Sequence, residues 1–126
     1  MKVASMIVRI LLGIIFVVFG LNGFLHFIPM PPPTGIAGQF FGILFASHFY
    51  VVIFAVQAIG GLLLLANRYV PLALTILGPI VVNILCFHAL MAPAGLPLAI
   101  VVTAMWFIVF ARNKQYFTPL FTVRTA

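Results

Sequence analysis

Residues 6–28 read MIVRILLGIIFVVFGLNGFLHFI, and this stretch decides the class of the chain. It holds one charge, Arg9, close to its start. A helix needs roughly 20 apolar residues to cross the hydrocarbon of a bilayer. Residues 6–28 supply them, and Pro29 then ends any helix. Lys2 and Arg9 ahead of the apolar run 10–19 also resemble the start of a signal peptide. The run continues through Leu21, Phe24, Leu25 and Phe27, however, with no A-x-A-like cleavage site after it. A retained first span is therefore expected.

Three further stretches read the same way. Residues 48–66 end at Asn67-Arg68-Tyr69, which joins an interface aromatic to a cation. Residues 71–91 begin with Pro71, a favourable first-turn residue, and carry Gly78-Pro79 as an expected kink. Residues 96–112 form the last, beginning within the uncharged turn 92–97 (APAGLP). Between the first two spans lie a stiff proline turn, 29–35 (PMPPPTG), and an apolar segment, 36–47 (IAGQFFGILFAS). That segment is too short to span and too apolar for an open loop, so an interfacial or re-entrant helix is expected. The predicted fold is all-α: one integral membrane domain, a bundle of four transmembrane helices.

Composition agrees with this. Of 126 residues, 66% are hydrophobic and 5% charged. A soluble domain of this length would have no charged surface to present to water. The six charges are all basic: Lys2, Arg9, Arg68, Arg112, Lys114 and Arg124. With four spans they fall at the two termini and the second turn, all on one side. A three-span reading would place the C-terminal cations opposite Lys2 and Arg9. The positive-inside rule then predicts cytoplasmic termini. Lys2, Arg9, Arg68, Tyr69, Arg112 and Lys114 are the expected lipid and interface contacts, with anionic headgroups as counter-charge. Cations scattered singly at helix ends do not point to nucleic acid.

The absence of Asp and Glu excludes most acid–base chemistry, and carboxylate-driven proton or cation pumping with it. Cys86 is the lone cysteine, so no self-contained dithiol centre exists. The polar residues within the spans are few. Asn22 and His26 are four apart and would share one helix face. Gln57 lies mid-span beside Gly60 and Gly61, where small residues allow close helix approach. Asn83 and His88 lie five apart, roughly 140° around an ideal helix. Asn22, His26, Gln57, Asn83 and His88 are the candidate ligand contacts, and interhelical hydrogen bonding is the competing role for each. His26, His48 and His88 form no ligand-spaced pair, so no metal site is assigned. A quinone, a haem or a chlorin is the cofactor class such residues could touch.

Two stretches resemble the DoxX family of small bacterial four-helix membrane proteins. One is 9–24, RILLGIIFVVFGLNGF, with its opening arginine and its Gly13-x-x-Phe16-x-x-x-Gly20 spacing. The other is 83–99, NILCFHALMAPAGLPLA, followed by the aromatic tail 116–121, YFTPLF. The resemblance implies a four-helix bundle in the bacterial inner membrane and an association with redox systems, among them thiosulfate:quinone oxidoreduction. No catalytic residue of the family maps onto this chain. The expected function is that of a non-catalytic accessory or scaffold subunit in a membrane electron-transfer complex, packed against other integral membrane subunits. A quinone-linked oxidoreductase subunit, with Asn22, His26, Asn83 and His88 near the headgroup, is one alternative. A binding or transport protein for a small apolar ligand is the other.

Overall fold

The computed structural model describes residues 2–126, and among these it is all-helical. Five α-helices follow in order: α1 Lys2–Leu25, α2 Gly35–Ala46, α3 Tyr50–Ala66, α4 Val70–Leu90 and α5 Leu96–Asn113. Short 3-10 turns cover Pro93–Gly95, Lys114–Tyr116 and Thr118–Phe121. By length and hydropathy α1, α4 and α5 can each cross a membrane. The bent pair α2–α3, whose members meet at 89°, is together long and apolar enough for a fourth crossing. α3 alone is about 25 Å long at 1.5 Å per residue, close to the hydrocarbon thickness of a bilayer. With α3 upright, α2 lies parallel to the membrane plane. The chain is a multi-pass membrane protein.

α1 and α3 make the most extensive contact in the bundle. Their seam is lined by glycine. A Cβ added to Gly61 would come within 2.7 Å of the Val17 amide nitrogen and 2.8 Å of the Gly13 carbonyl oxygen. Without side chains at these points the two backbones touch, which maximises dispersion contact where lipid supplies no hydrophobic drive. α4 and α5 close the other side. Leu12, Phe16, Leu64, Ala73, Leu74 and Leu77 are buried between the helices. The outward faces are equally apolar, with Ile59, Leu62, Leu72, Val82, Ile100, Val101 and Ile108 all exposed. An apolar exterior around a packed centre is what a lipid solvent demands.

α2 is held differently. Its backbone stays apart from the bundle, and aromatic rings fill the space. Phe45 stacks on Tyr50 at 4.5 Å, and Phe41 meets Phe87 edge-on at 5.2 Å. The elbow between α2 and α3 is set by His48, at φ 62°. The α3–α4 turn is tight for a similar reason: Asn67 and Tyr69 both take left-handed backbone, at φ 54° and 52°. Inside α4, Pro79 has no N–H for the carbonyl four residues back, so the helical ladder is interrupted there.

α1 begins earlier than the expected span 6–28, at Lys2, and also ends earlier, at Leu25. Past Leu25 the His26 N–H still donates to the Asn22 carbonyl at 2.9 Å, and the Ile28 N–H donates to the Asn22 side chain, Oδ1, at 2.8 Å. His26 then adopts φ 53° and leaves the helix.

Candidate functional sites at the two ends of the bundle

The uncharged end gathers the C-terminus of α1, the α2–α3 elbow and the C-terminus of α4. A cleft of about 220 Å³ opens there, lined by Phe40, Leu44, Phe49, Ile53, Ser47 and Asn83. The Ser47 hydroxyl is engaged locally: it donates to the Leu44 carbonyl at 3.2 Å and accepts from the Phe49 N–H at 3.3 Å. The Asn83 carboxamide makes no hydrogen bond within the described residues and is exposed to the cleft. An apolar slot with one unengaged amide can hold an apolar molecule by its body and hydrogen-bond a single carbonyl or hydroxyl on it.

The other candidate contacts do not converge on this cleft. Asn22 is buried and engaged with Ile28. The shared helix face expected for Asn22 and His26 is not formed, because His26 lies beyond the last helical residue. Its ring rests 5.8 Å from that of Phe45. His48 is exposed at the elbow. The five-residue step from Asn83 turns His88 away, toward the Pro93–Gly95 turn. There His88 Nδ1 lies 3.2 Å from the Ala92 carbonyl oxygen, and the ring packs so closely on Gly95 that a Cβ would sit 2.3 Å from His88 Cε1. Cys86 is exposed and free.

Gln57 is the one buried side chain whose oxygen, Oε1, has no hydrogen-bond partner among the described residues. It occupies the inner row of α3 with Gly60, Gly61 and Leu64, all buried. The remaining polar side chains of the spans bond to backbone. Trp106 Nε1 donates to the Leu74 carbonyl at 3.1 Å, and the Thr75 and Thr103 hydroxyls donate to the carbonyls of Pro71 and Ala99 four residues earlier. Among the described residues no group of three or more His, Cys, Asp or Glu side chains comes together.

The opposite end carries the cations. Lys2, Arg9, Arg68 and Arg112 belong to the N-terminal half of α1, the α3–α4 turn and the last turn of α5, which meet there. Arg9 donates from Nη1 to the Leu64 carbonyl of α3. Tyr69 is 74% exposed beside Arg68. A second cavity, of about 270 Å³, lies between these elements. Its other polar lining is Ser5, Asn67 and Asn113, and neither Ser5 nor Asn113 belongs to any sequence motif. These residues are more than 40 positions apart along the chain, and only the bundle brings them together. Phe40, Ser47 and Phe49, which line the cleft with Asn83, are likewise more than 30 positions from it in sequence.

Protein-family models, curated proteins and solved structures were all compared with this chain, and none matches it.

Proposed function

We propose that this chain is a DoxX-like protein of the bacterial inner membrane, with both termini cytoplasmic, and that it serves as a non-catalytic accessory or scaffold subunit of a membrane electron-transfer complex. The observation that carries the reading is how the polar side chains are used. Asn22, His88, Thr75, Thr103 and Trp106 all bond to backbone of the chain itself. They shape helix ends and helix contacts, and no set of them points at a common reacting atom. The sequence adds no carboxylate. What the molecule offers is packing surface: apolar side chains on the outer face of every helix. The resemblance in residues 9–24 and 83–99 supplies the redox context.

Extraction of the tagged chain from its native membrane in mild detergent tests this. The expected result is at least one other integral membrane protein at a fixed ratio, together with redox-active subunits. Recovery of the chain alone at full yield overturns the reading.

One observation favours a second reading, that of a site for an apolar ligand with a quinone-like carbonyl. It is the unengaged Asn83 amide in the apolar cleft. On that reading Asn83→Leu lowers affinity for a short-chain quinone while His26→Ala does not. Equal affinity in wild type and Asn83→Leu rejects it.

A further inference from the structure

We propose that the cavity at the basic end is a binding site for a phosphate-bearing anion, formed by Lys2, Arg9 and Arg112. The argument starts from charge. Three cations line one cavity of about 270 Å³, and the whole chain contains no Asp or Glu to neutralise them. Like charges held together near a low-dielectric wall repel one another. The arrangement is therefore stabilised by an anion from outside the chain.

The backbone does not neutralise the site. Two helix N-termini, those of α1 and α4, and two C-termini, those of α3 and α5, border the cavity. Their partial charges are of opposite sign and similar size, so they leave the three full positive charges in excess. Arg9 gives one N–H to the Leu64 carbonyl. A guanidinium carries five, so most of its donors stay available, in a planar fork suited to phosphate oxygens. The geometry of the rest is also fixed. Asn113 Nδ2 is tied to the Val109 carbonyl at 2.9 Å, and the Ser5 hydroxyl to the Lys2 carbonyl at 3.0 Å. These two side chains wall the cavity, and Lys2, Arg9, Arg112 and Asn67 carry the free donors.

A phosphodiester or phosphomonoester fits this set: one small anion, several oxygens, and donor residues from α1, α5 and the α3–α4 turn. Two sources present that chemistry at a helix end near the membrane surface, the headgroup of an anionic phospholipid and free phosphate. The proposal is independent of the accessory-subunit reading, since it concerns the isolated chain.

Native mass spectrometry of the full chain in a neutral detergent tests it, with phosphatidylglycerol, phosphatidylcholine and inorganic phosphate as separate probes. Wild type is expected to take up one phosphatidylglycerol saturably and to show no preferred site for phosphatidylcholine. Lys2→Gln and Arg112→Gln should each weaken that binding about fivefold, the effect of one interfacial cation. Arg68→Gln and Arg124→Gln, which alter cations outside the cavity lining, should leave it within twofold. Circular dichroism without added lipid checks that each variant is folded. Arg9→Gln also removes the bond to Leu64, so the decision rests on Lys2 and Arg112. Binding of inorganic phosphate with the same variant pattern, in the absence of lipid, supports the anion site and identifies free phosphate as the ligand. Equal weakening by the Arg68 and Arg124 variants, unaltered binding in the Lys2 and Arg112 variants, or no binding of either anion overturns the proposal.

Discussion

Gly20 of α1 lies directly against Ala58 of α3: a Cβ at Gly20 would come within 2.7 Å of the Ala58 amide nitrogen. Its next neighbour would be the Phe54 carbonyl oxygen at 3.0 Å. Both are backbone atoms, which cannot swing aside as a side chain can. The α1–α3 spacing is therefore set by the missing side chain at Gly20, and the same holds at Gly61.

Gly20→Ala should destabilise the bundle by about 1–3 kcal/mol, the usual cost of overpacking. Gly42→Ala is the matched comparison, because nothing lies within 4 Å of a Cβ there. It should be neutral or mildly stabilising through better helix propensity. Thermal unfolding of both variants in the same detergent checks the pair. Equal melting temperatures would remove the glycine seam from this account.

Asn22 accepts the Ile28 N–H just past the end of α1. Asn22→Ala leaves that donor without its partner, at a cost of about 0.5–1.5 kcal/mol. The sign can also be read locally. Amide exchange at Ile28 should accelerate by about tenfold, while exchange in the middle of α1 stays slow.

Gln57 reverses the usual expectation for a core substitution. Its Oε1 is buried and unbonded, and a buried acceptor without a donor is costly. Gln57→Met keeps the unbranched shape and removes the polar atoms. It should stabilise the isolated chain by about 1 kcal/mol. If a partner or ligand donates to Oε1 in the native membrane, the same variant will bind it more weakly while melting higher. Lower stability of the isolated Gln57→Met chain would show that the oxygen has a partner within the fold.

Trp106 fastens α5 to α4 by donating to the Leu74 carbonyl, and its ring stacks on Phe110 at 5.3 Å. Trp106→Phe retains an aromatic ring and deletes the donor. A loss of about 1 kcal/mol is expected, with no change in helix content by circular dichroism.

The architecture was legible in the sequence because the signal was coarse and repeated. Long apolar runs, prolines at 29 and 71, and cations at alternate turns needed no tertiary knowledge. The right-angled α2–α3 pair was legible only as an apolar segment too short to span. The end of α1 was not, because it is marked by the Asn22 side chain taking the Ile28 N–H and by His26 turning to φ 53°, three residues before Pro29. The sites followed the same division. The divergence of Asn83 and His88 follows from helix geometry alone. The cavity joining Lys2, Arg9, Asn67, Arg112 and Asn113 depends on which helix ends meet, and no local pattern encodes that.

The central claim is a multi-pass chain whose basic ends share one side of the membrane. The most direct test is labelling with a membrane-impermeant maleimide in a Cys86→Ser background. Ala66→Cys lies at the basic α3–α4 turn, Ala94→Cys at the uncharged turn before α5, and Ala126→Cys in the tail. In right-side-out vesicles only position 94 should react, and in inverted vesicles only 66 and 126. Labelling of 66 and 94 from the same side would contradict the four-span arrangement.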